Sequence, residues 1–441
     1  MGFFDRDEAT STRDTACQHS CPPRVDFMSL PTEIFEEIIR ILCDDSREEI
    51  GRQRMDLLIA RLSLVSREFR QAVLNTEAFW TRVNDMYCVR TGFEERLERS
   101  KGEPLSVHID LGRRGLLHQL MRKGLLRMLP VAHRWREFST RISGNATRLA
   151  DDYPHREFLN LQYLHLEFHP QEGSDKLFQQ WRFTNLVVLE LVDAIPPPCL
   201  FSKLVVFRLD TIHAYSHLED GLLDRLVCFL QSTPHLKHLS LKLSYCSLPY
   251  PGTLQTACLP NLTEFVLSNY DRSICGVDWE MRHGTGHLCQ ILSSLVMPMV
   301  EDLHLYLYFV NEQRLFDWFE YAASAPRSLG AVTSLSVASE FKVESQSFER
   351  LLSPFSNVGK LELDLPEMRD TISGMVEMRK FEQLRALVFS GWERGQGNGW
   401  DRKEEARRFV QDALHVDLVI SDAPLNNPAG LVKWMDRDPW A

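Results

Sequence analysis

No apolar run in the 441 residues approaches the roughly 18 that a membrane-crossing helix needs, so no membrane partner is expected. The opening residues Met1-Gly2-Phe3-Phe4-Asp5-Arg6-Asp7-Glu8 lack the apolar centre of a secretory signal, and Arg6 stands where an acylation signal wants Ser or Thr. Without a secretory route, the triplets Asn145-Ala146-Thr147 and Asn261-Leu262-Thr263 carry no glycosylation meaning. The ten cysteines follow no regular spacing, which fits a reducing compartment and buried thiols. The expected location is therefore cytoplasmic or nuclear. Basic residues are in deficit too. Fifty Lys and Arg against 61 Asp and Glu leave a formal charge of -11, which argues against a nucleic-acid partner, because phosphate backbones are gripped by clustered cations.

Signatures of chemistry are also missing. There is no Gly-x-Ser-x-Gly elbow, and the scattered His, Asp and Cys residues fall into no recognised catalytic arrangement. The glycine-rich tract from Gly391 to Trp400 lacks the Gly-Lys-Ser/Thr ending of a phosphate cradle and reads as a loop before a helix from Asp401 to Val410. Cys17, His19 and Cys21 lie close together without a fourth metal ligand. Cys275, His283, His287 and Cys289 set two histidines a helical turn apart, but Gly284 and Gly286 oppose a helix there and zinc sites usually pair their cysteines closely. The expectation is a non-catalytic chain with no cofactor and no metal.

What is present begins after a polar, aperiodic tail over residues 1–26. Ser29-Leu30-Pro31-Thr32-Glu33-Ile34 places a proline in the first turn of a segment whose Ile34, Ile38 and Leu42 recur every fourth residue, the stripe of an amphipathic helix. A polar loop over Asp44 to Asp56 follows. A second stripe, Leu58, Leu62, Val65, Phe69 and Val73, predicts another helix, and Phe79-Trp80 comes next. This order resembles the F-box family: Leu30-Pro31-x-Glu33-Ile34, then Leu62-Ser63-Leu64-Val65-Ser66-Arg67-x-Phe69-Arg70, then Phe79-Trp80 and Val83. The resemblance covers about residues 28–84, with the loop longer than the family's by about a dozen residues, an insertion whose entropic cost grows only with the logarithm of its length.

The F-box resemblance implies a small helical domain that docks a Skp-type adaptor and, through it, a cullin. The positions it assigns to adaptor binding are Leu30, Pro31, Ile34, Ile38, Leu64, Val65 and Trp80. A module this small and this rich in large apolar residues cannot bury all of them within itself, and an exposed apolar patch marks a partner surface. The alternative is that all of these positions are core of a helical domain.

The remaining chain carries a recurring Leu-x-x-Leu-x-Leu pattern, a short strand with alternating inward residues. It occurs at Leu161-Leu164-Leu166, Leu186-Leu189-Leu191, Leu204-Phe207-Leu209, Leu236-Leu239-Leu241 and Leu262-Phe265-Leu267. It continues at Val300-Leu303-Leu305, Val332-Leu335-Val337, Val358-Leu361-Leu363 and Leu384-Leu387-Phe389. From Leu164 to Leu387 the eight steps average about 28 residues. Leu105 to Leu111 and Trp135 to Phe138 extend the array at one end and His415 to Ile420 at the other, with helical stretches such as Gly221 to Leu230 and Leu315 to Phe319 between strands. This pattern resembles leucine-rich repeats, although the Asn or Cys usual three residues after each strand's last apolar position is missing.

The expected fold class is α/β: a small all-helical F-box over 28–84, an irregular leucine-rich-repeat-like α/β solenoid over 104–420, and a tail over 421–441. The residues between the inward leucines line the other face, and they include Glu167, Glu190, Asp210, Glu264, Asp302, His304, Tyr306, Glu362 and Asp364. Their excess of carboxylates over Arg208, Lys242 and Lys360 suggests a protein substrate carrying Lys and Arg. Together the two resemblances imply a substrate-receptor subunit of an SCF-type (Skp-cullin-F-box) ubiquitin ligase. A repeat-based scaffold acting without ligase assembly is the alternative, and an enzyme hidden in the α/β array would instead require a deep pocket with several perturbed ionisable groups.

Overall fold

A computed structural model of the chain describes residues 31, 34, 37, 59–84, 93–111, 116–142, 146–168, 174–198, 201–211, 222–243, 255–269, 291, 294–307, 329–339, 355–364, 383–389, 403–414 and 416–420. The chain divides into two compact units, one of Met1–Trp80 with Arg99–Lys101, the other of Thr81–Glu98 with Gly102–Ala441. The expected terminal tails, the metal candidates at Cys17 and Cys275 with their neighbours, the glycine-rich tract 391–400 and the helical stretch 315–319 lie outside the described residues.

In the first unit the described residues 59–65 are helical, and a second helix runs over Arg67–Asn75. The single stripe expected from Leu58 to Val73 is broken at Ser66. That residue is extended, with φ -153 and ψ 172, and its hydroxyl accepts a hydrogen bond from the Phe69 amide at 3.2 Å, so it caps a new helix and resets the phase. Arg70 Nε donates to the Ser63 carbonyl at 2.9 Å, and so satisfies an end of the preceding helix. Thr76 closes the second helix by donating its amide and its hydroxyl to the Ala72 carbonyl. A 3-10 turn, Glu77–Trp80, then packs Phe79 with Ile59 and Val73 into a small core flanked by Leu62, Phe69, Ala72 and Trp80. Val65, inward in the single-stripe reading, is exposed, because the break at Ser66 separates it from the helix that buries Val73.

The second unit is dominated by one sheet. Its strands are β1 (Arg82–Asn84), β2 (Leu105–Leu111), β3 (Trp135–Ile142), β5 (Tyr163–Phe168), β7 (Val188–Val192), β8 (Val206–Thr211), β9 (His238–Leu243), β11 (Glu264–Asn269), β13 (Asp302–Leu307), β14 (Ser334–Ser339), β15 (Lys360–Asp364), β16 (Ala386–Phe389) and β17 (Asp417–Ile420). Among the described residues these 13 strands lie side by side in chain order, and each pairs in parallel with the next. Parallel neighbours need a crossover between them, so strict sequence order is the mark of a repeated strand-and-return unit. The sheet begins at Arg82, inside the stretch the F-box resemblance covers, because Val83 pairs with Val107 and is buried.

The register shows why the fold repeats. Leu164, Leu189, Phe207, Leu239, Phe265, Leu303, Leu335, Leu361 and Leu387 occupy one continuous row across nine strands, and all are 0–1% exposed. The first residue of each Leu-x-x-Leu-x-Leu unit sits just ahead of its strand and is also buried. In most units its amide donates to the carbonyl three residues earlier, as Leu262 does to Leu259 and Val332 to Leu329. Among the described residues two short parallel pairs lie outside this sheet: β4 (Arg156–Glu157) with β6 (Trp181–Arg182), and β10 (Ala257–Cys258) with β12 (Leu295–Val296).

A ladder of asparagines fixes the spacing between units. Asn160, Asn185, Asn261 and Asn357 each stand one residue before the first apolar position and donate through Nδ2 to the carbonyls of His133, Leu159, Pro234 and Gly330, at 2.6 to 2.8 Å. Each bond joins one repeat to the one before it. Between β3 and β9 aromatic residues replace much of the leucine core: Trp135, Phe158, Trp181, Phe183, Phe201, Phe229 and Phe207 form a chain of contacts with neighbouring rings 4.7 to 6.3 Å apart. Helices Leu116–Met128 and Leu222–Gln231 cover this side of the sheet through Met121, Leu125 and Met128, and through Leu226, Phe229 and Leu230.

Candidate functional site

Two surfaces carry the residues singled out in the sequence. In the first unit, Leu64 is 77% exposed, Val65 63% and Ile34 47%. The first two are adjacent at the end of helical residues 59–65, just ahead of the Ser66 break that separates them from the buried helix face. Pro31 is exposed, and its carbonyl accepts the Ile34 amide at 3.0 Å. Leu30 and Ile38 lie outside the described residues. Trp80 stands differently: it is half-buried against the unit's own core, its Nε1 donates to the Val73 carbonyl at 3.1 Å, and the Arg99 guanidinium lies 4.6 Å from its ring centre. Its indole N–H and one ring face are thus committed within the unit.

The second surface is the sheet face opposite the leucines. All nine residues expected on it are there, because strand alternation sends every second side chain to that side. Parallel registration turns them into cross-strand rows. One row runs His108, Ser139, His165, Glu190, Arg208, Ser240, Val266, His304, Ser336 and Glu362.

Toward the chain's start several outward carboxylates pair with cations on a neighbouring strand. Arg141 lies 2.8 Å from Glu167, and Lys242 2.6 Å from Asp210. Glu190 is the centre of a buried cluster: Arg208 pairs with it, the Tyr163 hydroxyl donates to it at 2.6 Å, and His165 Nδ1 lies 3.3 Å away. Burial alone would raise the Glu190 pKa, but the His165 contact, the Arg208 charge and the Tyr163 hydroxyl overcome it and hold the carboxylate near about 2. Burial and the same carboxylate push the Tyr163 hydroxyl well up, so it stays a protonated donor. Beside this cluster Val206, Arg208, His238, Ser240, Glu264 and Val266 line a small depression.

Toward the chain's end histidines and a tyrosine join the carboxylates. His238 and His304 flank Glu264 at 3.3 and 3.9 Å. Burial lowers the His304 pKa, although Glu264, Asp302 and Glu362 pull it back, and His304 Nδ1 is buried without a hydrogen bond. The Tyr306 ring lies parallel to that of His304, 14° between planes, and its hydroxyl pKa is raised by burial and by Glu362, Glu264 and Asp364. Lys360 Nζ is 3.7 Å from Glu362.

Arg141 and Tyr163 were the partners sequence reasoning missed. Arg141 lies beyond Trp135 to Phe138, the residues with which the weaker copy of the pattern begins, and following the alternation to Ile142 finds it. Tyr163 sits in an outward position of a unit already recognised. Among the described residues no group of three or more His, Cys, Asp or Glu is arranged to hold a metal ion, and no helix is long and apolar enough to cross a membrane.

No protein-family model and no curated protein sequence matches the chain. Among solved structures it is similar to a chain in the crystal structure of the Rad7 and Elc1 complex in yeast, with 12% identity, a TM-score of 0.26, and coverage of 84% of this chain and 94% of that one. At that level the likeness carries no argument, and the functional reading rests on the residues themselves.

Proposed function

We propose that this chain is the substrate-receptor subunit of an SCF-type ubiquitin ligase, working in the cytoplasm or nucleus. The helical unit docks a Skp-type adaptor and, through it, a cullin, while the parallel sheet holds a protein substrate. The observation that carries the reading is the exposure of Leu64 and Val65, at 77% and 63%, on a helical unit that buries Ile59, Val73 and Phe79. A folded unit gains nothing from adjacent branched apolar residues in water, and such a patch is the usual mark of a partner surface. Its position in the Leu62-to-Arg70 segment of the F-box resemblance is what selects the adaptor as that partner.

The chain contributes position rather than chemistry. By holding substrate lysines near a recruited conjugating enzyme it makes an encounter between molecules effectively intramolecular. Co-purification tests this. The natural chain is expected to recover both a Skp-type adaptor and a cullin, and the Leu64→Asp, Val65→Asp double variant to recover neither. Recovery of the adaptor with no cullin would favour the scaffold alternative; recovery of neither by the natural chain would remove the proposal.

A further inference from the structure

The helical unit is not one stretch of chain. It runs to Trp80, the chain then passes into the sheet unit over Thr81–Glu98, and Arg99–Lys101 belong to the helical unit again. Those last residues lie outside the 28–84 stretch that the F-box resemblance covers. They come at the end of the short helix Phe93–Arg99, and the backbone after it is unusual: Lys101 has φ 41 and Gly102 φ 101, in the left-handed region that side chains disfavour. A lysine persists in that conformation only where its surroundings hold it.

The surroundings are the turn that closes the helical unit. Lys101 Nζ lies 3.0 Å from Glu77, the first residue of the 3-10 turn Glu77–Trp80, and the Arg99 guanidinium covers the ring of Trp80, the last. Two cations of one short segment thus grip both ends of the turn. From the turn a continuous line of contacts leads to the exposed apolar pair. Trp80 Nε1 donates to the Val73 carbonyl in helix Arg67–Asn75, and Val73 packs with Ile59 of helical residues 59–65. Arg70 of the same helix donates through Nε to the Ser63 carbonyl, beside the exposed Leu64 and Val65. Chains of packed side chains, hydrogen bonds and ion pairs of this kind carry coupling between distant groups.

We infer that Arg99 and Lys101 complete the docking unit, and that Trp80 serves adaptor binding as a positioning residue, holding the helices that present Leu64 and Val65 rather than touching the adaptor. This departs from the role that the F-box resemblance gives Trp80, and it rests on the reading of Leu64 and Val65 as the docking patch.

The test uses the full chain in two measurements: amide hydrogen exchange over residues 59–80 of the free protein, and calorimetric titration with a purified Skp-type adaptor. Arg99→Ala is expected to speed exchange over residues 67–80 and to weaken adaptor binding about two- to fivefold, the range of a partly exposed contact between a cation and a ring. In a Trp80→Leu chain the Arg99→Ala change costs less, because the ring it acts through is gone. Glu77→Lys and Lys101→Glu each speed exchange and weaken binding, and the two together restore both, because the ion pair is rebuilt with its signs exchanged. Such rescue separates positioning from general damage to the fold. If circular dichroism shows Arg99→Ala unfolded, the Glu77 and Lys101 exchange decides the outcome, since both of those side chains reach solvent.

Unchanged exchange in the variants at 77, 99 and 101, equal cost of Arg99→Ala in the two backgrounds, or an exchanged ion pair that restores nothing would each overturn the inference. So would loss of the adaptor by Trp80→Leu while the variants at 77, 99 and 101 bind like the natural chain, for Trp80 would then be a contact residue. A natural chain that binds no adaptor removes the receptor reading. The clamp on the helices is then decided by exchange alone: kept if Arg99→Ala speeds it and the exchanged pair restores it, and lost if it stays unchanged.

Discussion

Glu190 shows what a single residue contributes on the sheet face. Its pKa, held near about 2 against an ordinary 4.5, means that the folded state binds its proton less readily than the unfolded chain does. The linked stability is therefore fully present above about pH 5 and is lost as the pH falls toward about 2. Glu190→Gln also leaves Arg208 and the Tyr163 hydroxyl facing a neutral amide in a buried place. The expected loss at pH 7 is about 3 kcal/mol, the cost of breaking a buried pair, and it shrinks at about pH 3. Urea unfolding at the two pH values checks this, and an equal loss at both would contradict the linkage. This cluster was only half legible in the sequence. Glu190 and Arg208 could be placed on one face by alternation, but that they are neighbours follows from parallel register, which one strand's residues do not reveal.

At the scale of elements, the strands were the most readable feature. Two-residue alternation over Leu-x-x-Leu-x-Leu leaves one inward face, and a shift of one residue would expose every leucine, so Leu303, Leu335 and Leu361 align without further help. The helical segment from Leu58 to Val73 was less readable, because its apolar spacing continues across Ser66 while the hydroxyl of that serine starts a new helix. The asparagine ladder was not legible, because the leucine-rich-repeat resemblance sets a turn-bonding residue after each strand, whereas Asn160, Asn185, Asn261 and Asn357 stand before the first apolar position. Leu303→Ala removes an inward side chain 1% exposed and is expected to cost about 2 to 5 kcal/mol. Asn261→Ala loses one exposed inter-repeat hydrogen bond and is expected to cost about 1 kcal/mol. Thermal unfolding of the two variants side by side checks the order, and an Asn261 loss equal to that of Leu303 would refute it.

For the molecule as a whole, the formal charge of -11 says nothing of where the charges stand. The register sets Glu167 beside Arg141, Glu190 beside Arg208 and Asp210 beside Lys242 across strands, which no count of residues could show. The chain divides into two units: one whose described residues include helices and the exposed Leu64 and Val65, and one built on a sheet in which each repeat pairs with its neighbours. The claim that joins them is adaptor docking by the helical unit. Calorimetric titration of a purified Skp-type adaptor into the full chain measures it directly. The account predicts saturable binding with a negative heat-capacity change, the mark of apolar surface leaving water, and a loss of about a hundredfold or more in Leu64→Asp, Val65→Asp. Equal affinity of the natural chain and a folded double variant, or no binding by either, would contradict it.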